Sequence, residues 1–243
     1  MSTISETGHA KNIANLNVLN AHIAALGAQY NPTNPKIQLA FLQDVYTKAF
    51  AEQAKVNQLV APYSIAVDER EATFANLGKE LTKLRKAYKA TESVTDAHLE
   101  DFMTISRKLK GGTKTKPEPS TDPNAEAKKH STSQLSYDQR TNNLDQLIAL
   151  LQSTPNYNPN EPEFQVASII TKKENMLRST QAVTDAYVPL NVSRGKRNDI
   201  LYLSPDNLVD LAHKAKDYLT SILDRNTSQY KAVTKLQFVK KYY

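Results

Sequence analysis

The sequence lacks cysteine and tryptophan, and its 243 residues include only six glycines. The absence of cysteine excludes disulfide bonds, thiolate metal ligands and a cysteine nucleophile. Six scattered glycines scarcely suffice for a glycine-rich phosphate-binding loop, and no such motif occurs. These absences remove several common classes of enzyme and nucleotide-binding protein.

Two other catalytic signatures are also missing. No serine or threonine lies in a nucleophile elbow, and no two histidines have the spacing of a metal site on a helix. We therefore predict a protein that is not an enzyme, with no catalytic, cofactor-binding or metal-binding residues and no small-molecule substrate. The five histidines are His9, His22, His98, His130 and His213.

Long apolar segments are missing as well. The longest purely apolar run, about Leu147 to Leu151, is far shorter than the roughly 20 residues of a membrane-spanning helix. The first nine residues have neither the basic nor the apolar region of a signal peptide. We expect a cytoplasmic protein and no membrane partner. A bundle that acts on membranes through amphipathic faces stays as a third functional hypothesis.

The residues that are present favour helices. Alanine, leucine, lysine, glutamine and asparagine dominate long stretches, and runs of β-branched and aromatic residues are hard to find. Hydrophobic residues make up 40% of the chain, which is enough for a packed core. The net charge of +6 attracts nucleic acid, anionic lipid or an acidic partner. A lysine-rich solvated surface explains the same charge without any partner.

The most informative feature is an internal repeat. The segment that begins Tyr30-Asn31-Pro32 recurs as Tyr157-Asn158-Pro159, at an offset of 127 residues. The same offset pairs residues far downstream, and an offset of 128 pairs residues upstream of the motif. The downstream pairs include Pro62 with Pro189, Arg70 with Arg197 and Leu84 with Leu211, and the upstream pairs include Asn15 with Asn143 and Leu19 with Leu147.

The repeated motif is typical of a corner between two helices. Pro32 and Pro35 cannot continue a preceding helix, and Asn34 is placed to cap the next one, although Glu161 replaces it in the second copy. Tyr30 and Tyr157 are expected to pack the corner against the bundle. A segment rich in glycine, proline and lysine separates the copies. We predict a first helical repeat at 1–109, a flexible basic linker at 110–131 and a second helical repeat at 132–243.

Apolar residues after each corner alternate in steps of three and four, which is the a/d pattern of a long coiled-coil-like helix. The pattern keeps its phase through Pro62, which favours a kinked long helix over a hairpin. We predict helices over 35–61 and 62–90, and a last helix over 227–238. Arg70 and Arg197 occupy equivalent positions of this pattern, where leucine is expected. They are candidates for contact with an anion or a partner carboxylate, or for a structural ion pair.

Two basic segments are candidates for nucleic-acid contact, because mobile lysines hold phosphate groups without sequence preference. A solvated linker and a frayed terminus are the alternative. The candidate lysines are Lys108, Lys110, Lys114, Lys116, Lys128, Lys129, Lys240 and Lys241.

The Tyr-Asn-Pro corner, the arginine in the following helix and the Asn-Asn-Leu opening at Asn142 together resemble a group of uncharacterised, internally duplicated bacterial helical proteins. The resemblance covers the chain from about Ser5 to Phe238. It implies a bacterial source and an all-helical fold. It implies no activity and no functional residues.

We therefore predict an all-α fold of two sequence-related helical bundles with long kinked helices, related by a pseudo-twofold axis. The leading functional hypothesis is a non-enzymatic structural or protein-interaction protein, with self-assembly as one form of that interaction, because sequence signals of catalysis are absent and the helical surfaces are long. Nonspecific association with nucleic acid is the second hypothesis.

Overall fold

A computed structural model describes residues 7–110 and 136–240. Within these ranges the chain forms helices and no β-strand, which confirms the all-α prediction. The α-helices of the described ranges are α1 (Thr7–Leu26), α2 (Leu39–Ala75), α3 (Leu77–Lys89), α4 (Asp96–Lys110), α5 (Tyr137–Ser153), α6 (Val166–Asn198), α7 (Leu208–Ile222) and α8 (Ser228–Thr234). A π-helix, Asp199–Leu203, continues α6.

Short polar side chains fix where several helices begin. Ser136 accepts a hydrogen bond from the backbone N–H of Gln139 at the start of α5, at 3.2 Å. Thr227 does the same for Tyr230 at the start of α8, at 3.2 Å. These side chains satisfy backbone donors that have no partner inside the first turn of a helix.

The two Tyr-Asn-Pro corners make the same internal contacts. The Tyr30 hydroxyl donates to the Ile37 carbonyl at 2.8 Å, and the Tyr157 hydroxyl donates to the Phe164 carbonyl at 2.7 Å. Each corner contains a short 3₁₀-helix that begins at the second proline, Pro35–Ile37 and Pro162–Phe164. Asn34 caps the first 3₁₀-helix as predicted, by accepting from the Lys36 N–H at 3.0 Å. The side chain of Glu161 makes no such cap.

The long helices differ from the predicted boundaries. Pro62 and Pro189 both lie inside continuous helices, α2 and α6, so the predicted boundary between 61 and 62 is wrong. A proline that packing holds within a helix removes one hydrogen bond without ending the helix. The chain breaks instead at Asn76, which separates α2 from α3. The last helix also ends earlier than predicted, at Thr234, and residues 235–240 are not helical.

The first compact unit, called unit 1, comprises Met1–Tyr63 and Ala186–Tyr243. In unit 1, α1 packs against α7 and α8. Its core is built from the apolar faces of these helices, together with the beginning of α2 and the π-helix. Buried members of this core include Leu16, Leu19, Leu42, Ala49, Leu201, Leu208, Leu211, Val233 and Phe238.

The second compact unit, called unit 2, comprises Ser64–Asp185. In unit 2, α4 packs against both α3 and α5. Buried members of its core include Phe74, Leu81, Leu84, Tyr88, Phe102, Leu109, Leu144, Leu147 and Met176.

The compact units follow a different division from the sequence repeats. Each unit contains the beginning of one predicted repeat and the end of the other, because the boundaries fall within α2 and α6. Lys110, the first residue of the predicted linker, is the last residue of α4. The remainder of that linker, 111–131, lies outside the described residues.

Candidate functional site

Arg70 belongs to a cluster of cations and aromatic rings in unit 2. Its guanidinium carbon lies 4.0 Å from the centroid of the Tyr137 ring. The Tyr137 ring meets the Phe74 ring edge-on at 4.8 Å, and the Arg140 guanidinium carbon lies 5.1 Å from the Phe74 ring centroid. Burial lowers the pKa of the Arg140 guanidinium. The half-buried Arg70 is therefore held by cation–π contact inside its own unit.

Arg197, its sequence equivalent, lies in unit 1 and is only 2% exposed. Its Nε and Nη2 atoms donate to the Asn198 side-chain oxygen at 3.2 and 3.0 Å. A charge this deeply buried is stable only when hydrogen bonds satisfy it. The geometry of Arg197 favours the structural interpretation over contact with an external partner.

The structure describes three of the eight candidate lysines. Lys108 is half-buried on α4, and Lys110 donates to the Thr82 hydroxyl at 2.8 Å. Lys240 forms an ion pair with Asp210 at 3.0 Å. Lys108 and Lys110 belong to unit 2, and Lys240 belongs to unit 1. The others, Lys114, Lys116, Lys128, Lys129 and Lys241, lie outside the described residues.

Unit 1 exposes large apolar side chains on its two long helices. Val188 and Val192, one helical turn apart on α6, are each 52% exposed, and Phe50 on α2 is 57% exposed. The Phe50 ring lies 5.9 Å from the ring of Tyr46, one turn earlier on the same helix. The sequence analysis missed Phe50, Val188 and Val192 because they fall outside the a/d pattern of alternating three- and four-residue steps. The signal that identifies them is an apolar residue at a position outside this a/d pattern.

A second feature of unit 1 is a groove between α1 and α7, here called the α1/α7 groove. Residues 235–240, here called the C-terminal segment, occupy it without helical structure. Four consecutive backbone carbonyls of the segment each accept a hydrogen bond from a different side chain of α1 or α7. The pairs are Leu236 with Lys216 at 2.7 Å, Gln237 with Asn15 at 2.6 Å, Phe238 with His213 at 3.2 Å and Val239 with Asn12 at 2.9 Å.

Additional contacts hold the last three residues of the segment. The Val239 N–H donates back to the Asn12 side-chain oxygen at 3.1 Å, so one asparagine satisfies both backbone groups of one residue. The Phe238 side chain is 6% exposed and belongs to the unit 1 core. Burying a phenylalanine contributes about 1.5–3 kcal/mol. Lys240 then meets Asp210 at the end of the segment.

The sequence analysis missed this arrangement because it assigned most of the segment to a helix and Lys240 to nucleic-acid contact. The available signal lies in α1, where Asn12 and Asn15 lie between the apolar residues Ile13, Leu16 and Leu19 of the buried face. Both asparagines are buried, at 2% and 6% exposure. Buried amides need hydrogen-bond partners, and an adjacent backbone supplies them.

A polar network links α1 to the π-helix of the same unit. His9, fully buried, lies with its Nδ1 atom 2.8 Å from the Tyr202 hydroxyl. The Asn12 amide also donates to that hydroxyl, at 3.3 Å. A π-helix shifts the register of side chains relative to an α-helix, and this one carries Tyr202.

Three groups in the described chain have informative titration properties. A hydrogen bond from Asn207 is the main reason that the pKa of Asp210 lies below its usual value, and Lys240 lowers it further. Burial raises the pKa of Tyr30 to about 12, with a smaller contribution from Tyr218. Burial and Tyr88 raise the pKa of Tyr157 to about 12 in the same way.

Unit 2 contains two adjoining cavities beside α3. One, of about 440 Å³, has an apolar floor that includes Leu81, Leu84 and Ile169. The other, of about 600 Å³, is more polar and includes Lys86 and Asn158. Their lining carries both signs of charge, so the cavities do not select an anion or a cation by net charge.

The described ranges hold no group of three histidine or acidic side chains placed to bind a metal ion. No helix in those ranges has an apolar stretch long enough to cross a membrane. Comparisons of the whole chain with protein families, with curated proteins and with solved structures find no match.

Proposed function

We propose that the chain is a non-enzymatic structural or protein-interaction protein that associates with itself through apolar side chains on its long helices. The observation that carries this proposal is the exposure of Phe50, Val188 and Val192 in unit 1. Apolar side chains grouped on one face of a helix mark interaction surfaces more often than isolated ones do.

The spacing of these residues supports a helix-to-helix contact. Val188 and Val192 are four residues apart, and so are Tyr46 and Phe50, so each pair lies on one side of its helix. Side chains at this spacing pack into the surface of a second helix. In a dimer with twofold symmetry, both copies would contribute this same surface to the contact.

The internal duplication forms part of the proposal. We interpret the chain as two related repeats, because both corners contain the same Tyr-to-carbonyl contact seven residues ahead. The Gln38 and Gln165 side chains also donate to the carbonyls of Pro32 and Pro159, at 3.5 and 3.3 Å. A pseudo-twofold arrangement of the repeats follows from a self-complementary ancestral surface.

The described contacts support this hypothesis more than nucleic-acid association. The ion pair with Asp210 offsets the charge of Lys240, which weakens its attraction for phosphate, and Lys110 uses one of its donors on the Thr82 hydroxyl. Measuring the binding of duplex DNA at low and at physiological salt tests that alternative directly.

Sedimentation over a concentration series tests self-association. We expect the wild-type chain to form dimers or larger species as the concentration rises. The double variant Val188→Gln/Val192→Gln should stay monomeric, because it removes the apolar pair without touching the core. Thr171→Gln/Asn175→Gln changes two exposed polar residues four positions apart on the same helix, at least 13 residues before Val188, and serves as the matched control.

A wild-type chain that stays strictly monomeric at high concentration contradicts self-association and leaves binding to a different protein. Equal association of the valine variant and its control contradicts the assigned surface. Circular dichroism of each variant checks that the helices are intact.

A further inference from the structure

We propose that the α1/α7 groove is a peptide-binding site, which the C-terminal segment of the same chain fills and which accepts that segment from a second copy. The ligand is an extended peptide with a buried aromatic residue and a cation two residues later. This proposal does not rest on the proposed function, because the groove includes none of the exposed apolar residues of α2 or α6.

The first step of the argument is the way in which the groove holds the backbone. From Leu236 to Val239 every carbonyl of the segment accepts a hydrogen bond from a side chain of α1 or α7. Asn12 binds both the N–H and the carbonyl of Val239, as a neighbouring β-strand would. Recognition of the main chain in an extended form is a general mode of peptide binding.

The second step concerns the side chains that confer selectivity. Phe238 is 6% exposed, whereas the next residue, Val239, is 58% exposed. Successive side chains of an extended chain point to opposite sides, so the groove buries the aromatic side chain and leaves the neighbouring side chain in solvent. Asp210 then pairs with Lys240, on the same side as Phe238.

The third step concerns why the segment can leave. The backbone-to-backbone hydrogen bonds described for the segment reach back to α8, from the N–H groups of Lys235 and Leu236 to the Val233 carbonyl. The segment contributes no turn to a helix of the bundle, so its departure breaks side-chain contacts and leaves α1 and α7 intact. A tethered ligand competes at an effective concentration of about millimolar. Exchange between copies is therefore favoured when the resident segment is weakened.

The experiment uses full-length chains and a fluorescent peptide of residues 233–240 with both ends blocked. Phe238→Ala weakens the resident segment, so we expect this chain to bind the peptide at least about tenfold more tightly than the wild type. Val239→Ala is the matched control, because it truncates the adjacent exposed residue and should bind as weakly as the wild type. A peptide that carries Phe238→Ala should not bind any of the chains.

A second variant assigns the binding to the groove. Adding Asn12→Leu to the Phe238→Ala chain should abolish peptide binding, because it removes both hydrogen bonds to the backbone of Val239. A folded Phe238→Ala chain that binds no peptide overturns the proposal. Binding that is indifferent to the phenylalanine of the peptide overturns it as well.

If the Phe238→Ala chain loses its helical circular dichroism signal, the wild-type chain is titrated with the unlabelled peptide at millimolar concentration. Saturable shifts of the labelled chain's own Phe238 and Val239 resonances, which leave the groove when the peptide takes their place, support exchange in the groove. Unchanged resonances contradict it.

Discussion

The two compact units close their bundles in different ways. In unit 2, the 15-residue helix α4 packs against α3 and α5 and buries Phe102 and Leu109. In unit 1, α8 has seven residues, and an extended segment completes the cover over α1 and α7. A long amphipathic helix satisfies its own backbone, whereas an extended segment needs polar side chains from its neighbours. This requirement explains why Asn12 and Asn15 lie among the apolar residues of α1.

The units also differ at one pair of positions that are 127 residues apart in the sequence. Ser168 lines the apolar cavity of unit 2, and the residue 127 positions earlier is Phe41, which packs against the core of unit 1. A serine leaves space that a phenylalanine occupies. The position of Ser168 in unit 2 thus lines a cavity, whereas Phe41 in unit 1 packs against apolar side chains.

Cavity-forming substitutions should have the largest effects and test whether each unit has its own core. Leu19 and Leu147 are paired by the proposed internal repeat, and both are fully buried. Leu19→Ala and Leu147→Ala should each lower the free energy of unfolding by about 2–5 kcal/mol. Hydrogen exchange should rise in α7 and α8 for the first variant and in α3 and α4 for the second. Equal increases in both units would contradict separate cores.

The control for this pair is Val18→Ala, which truncates a neighbouring side chain that is 43% exposed. Because little buried contact is lost, we expect a change within about 0.5 kcal/mol. Chemical denaturation monitored by circular dichroism measures all three variants.

The arginines should give the next largest difference. Arg197→Met removes hydrogen bonds from a buried cation, which typically contribute about 1.5–3 kcal/mol. Arg70→Met removes a cation–π contact from a half-buried cation, which contributes about 0.5–2 kcal/mol. Thermal unfolding should therefore show a lower midpoint for Arg197→Met than for Arg70→Met. The opposite order would contradict depth of burial as the determinant of the contribution, and equal midpoints would favour the shared repeat position.

The sequence predicted the helical class, the corners and much of the core because these depend on local residues. Proline spacing located the corners, and the seven-residue pattern identified buried positions such as Leu42, Val56 and Leu84. The pattern did not predict the division into units, which depends on which helices pack together in space. The α1/α7 groove was missed for the same reason, since Asn12 and Val239 are 227 residues apart.

Helix capping offers a smaller and sharply controlled comparison of α3 with α7. Asn207 caps α7 by accepting from the Asp210 N–H at 3.0 Å, whereas Asn76 precedes α3 without a side-chain cap. Asn207→Ala should cost about 1 kcal/mol of stability, and Asn76→Ala should cost clearly less. Denaturant midpoints measure both variants. Equal losses of stability would show that the capping hydrogen bond of Asn207 contributes no more than the side chain of Asn76, which makes no such bond.

The same substitution should change a titration. Since the hydrogen bond from Asn207 is the main cause of the low pKa of Asp210, Asn207→Ala should raise that pKa, as measured by carboxyl NMR. A depressed pKa contributes stability at pH values above the usual value of 3.8, and the contribution is lost as the pH falls through the folded-state value. An unchanged pKa in the variant would contradict this assignment.

The corner tyrosines of the two units should respond to pH in the same way. Replacing either of them should lower the free energy of unfolding only slightly. Tyr30 and Tyr157 each donate one hydrogen bond to a carbonyl, so Tyr30→Phe and Tyr157→Phe should each cost about 0.5–1.5 kcal/mol at neutral pH. Burial raises both pKa values to about 12, above the usual 10. The unfolded chain loses these protons first, so the stabilising contribution is present below pH 10 and is lost as the pH rises towards 12. Tyrosinate absorbance during an alkaline titration should therefore lose one late-titrating group in each variant. If Tyr157→Phe removed a tyrosine that titrates near the usual pH of 10, while Tyr30→Phe removed a late-titrating one, the corner of unit 2 would be more open than the corner of unit 1.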